Sequence, residues 1–165
     1  MRQTRLVWLC LVLLASGCGG ERSMEFCERH GAEHWQHRAE VTVLDMQLDE
    51  VGVLNAVVTI PRGALDWMPA GQVLASAANV VDAGPTCAPQ AASVTRDENA
   101  LLGEYRLQCS GDAPPAGLTV ALFQHLDELR EVEVTMTTPA VSKHFLVNRR
   151  CERALFNVLT QREGM

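Results

Sequence analysis

The sequence predicts an α+β domain with a largely antiparallel sheet, two or three helices and disulfide bonds. Three observations lead to this fold class. Segments rich in β-branched and apolar residues come in pairs that short turns separate. Helical patterns are few and lie outside these pairs. Four cysteines follow residue 18, which is typical of a disulfide framework. A β-sandwich with peripheral helices is the alternative.

The first half of the chain is predicted to form a helix, two strands and a second helix. Ser23 is a suitable N-cap, and acidic residues follow it in the first turn. Turn residues separate the two strands, and Pro61 ends the second of them. The predicted elements are a helix at 23–39, strands at 41–48 and 53–60, a turn at 64–68 that carries Trp67, and a helix at 72–81.

The second half is predicted to be mostly extended. Val132, Val134 and Met136 alternate with Glu131 and Glu133, which predicts a strand with one buried face and one solvated face. The predicted elements are strands at 87–95, 101–109, 118–123, 130–137 and 142–147, a helical turn at 124–129 and a C-terminal helix at 149–161.

The N-terminus has the order of a secretory signal peptide. Arg2 and Arg5 precede an apolar run from Leu6 to Leu14, and small residues then lead to Cys18. The Ala-Ser-Gly-Cys ending resembles the lipobox of bacterial lipoproteins, which implies cleavage before Cys18 and its modification with diacylglycerol and palmitoyl lipid. The alternatives are a signal peptide without lipidation or a short transmembrane anchor, although about 20 apolar residues are needed to cross a bilayer.

Lipidation would divide the chain into three parts. We expect a signal peptide at 1–17, a lipid-anchored tether at 18–22 and one globular domain at 23–165. The lipid would hold the protein on a membrane of the bacterial envelope, on its periplasmic side. Gly19, rather than Asp, follows the lipidated cysteine. This resembles the sorting pattern for the outer membrane.

Charge and motif content exclude several function classes. The first 17 residues hold two of the 14 basic residues and none of the 20 acidic ones, so 12 basic and 20 acidic residues remain, a net charge of −8. A domain this acidic is a poor match for nucleic acid. The chain also lacks G-x-S-x-G, phosphate-loop and H-E-x-x-H motifs. We therefore expect neither enzymatic activity nor a nucleic-acid partner.

The four remaining cysteines predict two disulfides, because their number is even and the chain is exported. A Cys87–Cys109 bond would join two neighbouring extended segments. A Cys27–Cys151 bond would join the two terminal helices. Three connectivities are formally possible, and the sequence alone does not choose among them.

Three of the five histidines lie within eight residues, at His30, His34 and His37. These spacings place them on one face of a helix. Neutral imidazole is a good ligand for zinc and copper, and the nearby Glu33 could add an oxygen ligand or orient His37. The pattern indicates a metal site. The alternative is a docked structural helix whose histidines are solvated.

Residues 33–148 carry several short features in a fixed order. They are the histidine motif that runs into a strand at 33–43, a strand that ends in a proline turn with an aromatic residue at 60–67, the acid–Tyr–x–x–x–Cys pattern at 104–109, Leu122-Phe123, and the charged turn into an alternating strand at 129–134. In their order and spacing these features resemble the ZrgA-type periplasmic proteins, a family linked to zinc uptake.

The resemblance implies an exported, non-catalytic protein that binds or hands on zinc. It places His34 and His37 in the family's opening motif, implies a bond between Cys87 and Cys109, and suggests a zinc-uptake component as partner. The chain departs from the family in lacking its long His/Asp-rich stretch, since the segment at 95–99 is short and has no histidine. The alternative function is a structural or interaction lipoprotein that binds no metal.

Overall fold

The computed structural model describes residues 40–110, 118–151 and 153–154. Within them lie nine strands, two α-helices and one 3₁₀ turn. In chain order these are β1 (Thr42–Leu48), β2 (Val53–Pro61), α1 (Trp67–Leu74), the 3₁₀ turn (Ala77–Asn79), β3 (Val81–Asp82), β4 (Cys87–Arg96), β5 (Ala100–Cys109), β6 (Leu118–Val120), α2 (Leu122–His125), β7 (Glu131–Thr137), β8 (Ser142–Asn148) and β9 (Arg153–Ala154).

Six strands form one sheet in the order β4-β5-β2-β1-β7-β8. Every neighbouring pair is antiparallel except β1 and β7, which run parallel. The three short strands form a second sheet in the order β3-β6-β9. The predicted α+β class and its largely antiparallel sheet are confirmed.

The core lies on one face of the large sheet. Leu44, Val58 and Val134 are neighbours in register on three adjacent strands, and all three are buried. Leu74 of α1 and Phe123 of α2 belong to the same apolar cluster. The two helices therefore lie on the face that the alternating apolar residues of the strands define.

The predicted helix at 72–81 is wrong in position, because α1 begins at Trp67 and ends at Leu74. The Asp66 carboxylate accepts a hydrogen bond from the Met68 amide and caps the first turn. Pro69 is tolerated there because first-turn amides have no partner inside a helix. Val81 lies in a strand instead.

The segment after the second hairpin also differs from its prediction. The strand expected at 118–123 ends at Val120, and the helical turn expected at 124–129 lies at 122–125. The Arg149 guanidinium donates to the carbonyls of Phe123 and Leu126, at 2.7 and 2.8 Å. These bonds satisfy carbonyls at the end of α2, and they come from a residue far along the chain.

The C-terminal helix predicted at 149–161 does not begin where expected. The amides of Arg150 and Cys151 bond the side-chain oxygen and the carbonyl of Asn148, which forms a turn. Arg153 and Ala154 then pair with β6. Backbone pairing with another strand has overridden the helical pattern at these positions. Residues 155–161, and the helix predicted at 23–39, lie outside the described residues.

The solvated face predicted for β7 is wrong at Glu133, which is 3% exposed. Its neighbours in register are Val43 on β1 and Leu146 on β8, both half-buried. Alternation identifies the residues that share a face, but it does not tell whether that face is covered.

Tyr105 joins α1 to the sheet. Its buried hydroxyl donates to the Leu74 carbonyl at 2.7 Å, at the end of α1 where helix carbonyls have no partner inside the helix. The side chain also lies against Gly103, where an added Cβ would collide with the Tyr105 hydroxyl. The glycine is therefore required for the ring to reach the helix. Burial raises the pKa of Tyr105.

We expect Tyr105 to stay neutral in the folded protein at pH values where free tyrosine ionises, near pH 10. Since the pKa is raised on folding, its contribution to stability is complete below about pH 10 and is lost as the pH rises further. Tyr105 is the only tyrosine of the chain. The near-ultraviolet absorbance of tyrosinate during an alkaline titration therefore reports on this residue alone.

The control is the same titration in guanidinium chloride, where the tyrosinate signal should appear near pH 10. A folded protein that gives the signal at that same pH would contradict the burial of the hydroxyl.

Candidate functional site

The predicted lipidation and metal residues lie outside the described residues. They are Cys18, Cys27, His30, Glu33, His34 and His37, together with the whole of the predicted signal peptide and tether. Lipidation at Cys18 and zinc ligation by the histidine cluster therefore stay predictions.

Two histidines can be placed. His125 is exposed at the end of α2, and His144 is exposed on β8, where its Nδ1 lies 3.1 Å from Thr135 Oγ1. They belong to different elements. Residues 40–110, 118–151 and 153–154 contain no group of three or more His, Cys, Asp or Glu side chains arranged to hold a metal ion.

The predicted Cys87–Cys109 disulfide is confirmed. The two cysteines are opposite each other in register on β4 and β5, with their Cα atoms 3.9 Å apart. The Ser110 amide donates to the Thr86 carbonyl, so residues 86 and 110 form a hydrogen-bonded pair. The neighbouring pair, Cys87 and Cys109, is therefore a non-hydrogen-bonded pair, the position at which antiparallel strands come closest. Cys151 is also disulfide-bonded. That Cys27 is its partner stays a prediction.

Strand β4 is an edge strand with no buried face. Every residue from 88 to 96 is exposed, and β4 lies at one end of the sheet. Only β5 pairs with it among the described strands. An edge strand presents unpaired backbone amides and carbonyls, which are a template for pairing with another chain. We call this side of β4 the outer edge.

The register identifies the backbone groups on the outer edge. The Asp97 amide donates to the Ala100 carbonyl, so 97 and 100 form a hydrogen-bonded pair. Hydrogen-bonded and non-hydrogen-bonded pairs alternate along an antiparallel ladder. Residues 95, 93 and 91 therefore bond β5. The amides and carbonyls of Ala92, Val94 and Arg96 point away from the sheet.

Two structures hold the ends of β4 in place. The disulfide closes the first end. At the other end the Asp97 carboxylate accepts 2.7 Å bonds from the Asn99 and Ala100 amides, and these bonds lower the pKa of Asp97. The Arg96 guanidinium lies 4.6 Å from the centre of the Trp67 ring on α1, within the range of a cation–π contact. The outer edge is thus supported although β4 adds little to the core.

The sequence offered a signal for this edge that the hairpin prediction did not use. The run from Ala88 to Thr95 has small and polar residues and a single larger apolar residue, Val94. A strand with so few large apolar residues has no face to bury. It could therefore have been assigned to an edge before the structure was known.

No protein-family model matches the chain, and no curated protein matches its sequence. The resemblance to ZrgA-type proteins therefore stays a prediction. Neither helix in the described part of the chain has the length and apolar character that crossing a membrane requires.

We expect that replacing both Cys87 and Cys109 with alanine lowers the free energy of unfolding by about 3 kcal/mol, because the bond closes a loop with a sequence separation of 22. Urea denaturation measures the change. Substitution is better than chemical reduction here, because Cys151 is disulfide-bonded as well. The account is contradicted if the double variant and the oxidised parent unfold at the same urea concentration.

Proposed function

We propose that the chain is an exported, lipid-anchored protein of the bacterial envelope that binds an extended segment of another polypeptide along the outer edge of β4. The observation that supports this proposal is the row of outward backbone groups at Ala92, Val94 and Arg96 on a strand with no covered face. Addition of a strand to such an edge is a recurrent way to recognise peptides.

The protection of the edge is uneven along β4. Edge strands usually avoid unwanted pairing through proline, charged residues or a bulge. Pro89 and the bulge between Pro89 and Ala91 protect the first part of the strand. From Ala91 to Thr95 there is neither proline nor charge, until Arg96 ends the run. This unprotected stretch is therefore where an added strand would pair.

The side chains beside this stretch are small, which leaves room for larger ones on the added strand. Ala91, Ser93 and Thr95 lie on one face of β4, and Ala92 and Val94 lie on the other. Backbone hydrogen bonds would supply the affinity, and alternate side chains of the added strand would supply specificity. The lipid anchor would keep this edge close to the membrane surface, where envelope proteins assemble.

The second candidate function is zinc binding at the membrane face, with transfer to an uptake partner. The i, i+4, i+7 spacing of His30, His34 and His37, with Glu33 beside them, favours it. This proposal rests on the sequence pattern and the family resemblance. It is compatible with strand addition at β4, because the two functions use different residues.

We expect a photo-crosslinking amino acid at Thr95 to form a discrete adduct with a polypeptide in cells that express the full-length protein. Adding Val94→Pro should reduce the adduct about tenfold, because proline removes an outward amide while the bonds of β4 to β5 remain. Gel electrophoresis and mass spectrometry of the adduct measure both effects.

Val94→Thr is the matched control, since it keeps the amide and the β-branched shape and should leave the adduct unchanged. The same crosslinker at Gln47, an exposed residue of β1, should give no adduct. No discrete adduct at Thr95, or an adduct that Val94→Pro leaves intact, would rule out strand addition at this edge.

For zinc, we expect the oxidised full-length protein to bind the ion and to lose it in the His34→Ala/His37→Ala double variant. The affinity should fall as the pH drops through about 6.5, because only neutral imidazole binds metal. Calorimetric titration with zinc measures both. His125→Ala removes an exposed histidine of α2 and should change nothing. Zinc binding that persists in the double variant would contradict ligation by the cluster.

A further inference from the structure

The residues that face outward on the outer edge form a short, bounded set. They are Ala92, Val94 and Arg96, and each presents its amide and its carbonyl away from β5. The bulge of β4 limits the set on one side, and the turn that begins at Asp97 limits it on the other. Val94 is therefore the middle of the stretch that can bond an added strand.

A second copy of β4 matches this set in number and spacing. When two copies run antiparallel with Val94 opposite Val94, Ala92 of each copy lies opposite Arg96 of the other. The three pairs are then hydrogen-bonded pairs, and each exchanges two backbone bonds, which gives six bonds in all. Every other antiparallel register leaves at least one outward residue of each copy without an outward partner.

The side chains that meet in this register are compatible. Arg96 lies opposite a small alanine instead of a second arginine, and like charges directly opposite each other would be destabilising. On the other face of the strand Ser93 lies opposite Thr95. The Ser93 hydroxyl donates to Glu104 and can still accept a hydrogen bond from the threonine. The two Val94 side chains, each 37% exposed, adjoin at the centre and cover each other.

Charges are also complementary in this register. Asp97 of one copy lies opposite Ala91 of the other, which in turn lies opposite Arg106 on β5. Arg106 is exposed and has no ion pair with another described residue. The Asp97 Oδ1 accepts two amides of its own turn, and no described residue bonds its Oδ2. Arginine and aspartate would be two strands apart, about 10 Å between backbones, with only the alanine methyl group between them, and an arginine side chain spans this distance.

We propose that the polypeptide that adds to the outer edge is a second copy of this chain, paired antiparallel with Val94 opposite Val94. This inference rests on the proposed function, because it names the partner of the same edge. The dimer is isologous, since each copy supplies both the edge and the added strand.

The two-fold axis of this dimer passes between the two Val94 residues, perpendicular to the sheet. The two large sheets therefore join into one, with α1 and α2 of both copies on the same face. Val94 is the single large apolar residue of the stretch, so dissolved copies associate weakly. Copies that lipid anchors hold on one membrane have a high effective concentration, which raises the paired fraction without any new contact.

The test is disulfide crosslinking, in membranes of cells that express the full-length protein, of variants that each carry one added cysteine. Val94→Cys places two thiols beside the two-fold axis, with Cα atoms about 5.5 Å apart, which a disulfide spans. Ala92→Cys is the matched control on the same strand and face, because its two thiols are four residues apart along the strands, about 14 Å. After mild oxidation, non-reducing gel electrophoresis should show about tenfold more dimer for Val94→Cys, with the parent protein as background.

A mixed experiment checks the register. Ala92→Cys and Arg96→Cys should each stay at the background level when expressed alone. Cells that express both variants together should form the dimer, because the two positions lie opposite each other in the two copies.

The proposal is overturned if Val94→Cys gives no more dimer than Ala92→Cys, or if the mixed pair stays at the background level. The photo-crosslinked adduct of Thr95 separates this failure from failure of strand addition. An adduct of twice the protein's mass, with a peptide of this chain that contains Ser93, is the expected result. Peptides of a different protein would overturn the second copy and leave strand addition intact, whereas the lack of any discrete adduct would overturn both.

Discussion

The large sheet depends on β5, which forms a ladder of backbone hydrogen bonds with β2 on one side and with β4 on the other. The odd-numbered amides bond toward β2, as the 2.8 Å bond from Cys109 to the Gly52 carbonyl shows, and the even-numbered ones bond β4, as the Ser110 bond to Thr86 shows. Tyr105 of the same strand ties it to α1. Because β4 contributes almost no buried surface, it keeps its extended form through β5 and the Cys87–Cys109 bond.

This arrangement gives the molecule two unlike ends. At one end of the sheet, β4 is exposed on both faces and offers backbone groups. Near the other, β1 and β7 run parallel, and acidic residues at and before their first residues line a small groove. The lipid anchor proposed at Cys18 would concentrate the protein beside its partners, so recognition along an exposed strand edge would not require a large binding pocket.

The extended elements could be predicted from the sequence because local patterns determine them. The hairpin at 42–61 follows from two runs of β-branched and apolar residues that turn residues separate, and the Cys87–Cys109 bond joins the two strands of the second predicted hairpin at 87–109. The predictions are wrong where contacts with residues far along the chain determine the local structure. Arg149 stabilises the end of α2, and pairing with β6 replaces the expected helix at 153–154. The burial of Glu133 depends on what covers its face, which alternation does not specify.

The edge and the groove differ in the same way. The edge character of β4 is visible in its small residues, whereas the groove is not, because Glu40, Thr42 and Glu128 come together only through the parallel pairing of β1 and β7. Parallel pairing joins strands that are far apart in sequence, and no local pattern indicates which two strands will meet. Thr42 lies on the same face of β1 as Leu44 and Met46, so its burial could be predicted from the alternation, but the groove beside it could not.

Amide hydrogen exchange along β4, followed by NMR on the folded protein, tests whether the outer edge is open and the ladder to β5 is formed. Protection should alternate from 91 to 96: the amides of Ala91, Ser93 and Thr95 exchange slowly because they bond β5, and those of Ala92, Val94 and Arg96 exchange fast because they point outward. Equal protection of the two sets would show that another segment already covers the edge. Fast exchange of both sets would show that β4 does not form stable backbone hydrogen bonds with β5. Either result would contradict an open outer edge on β4.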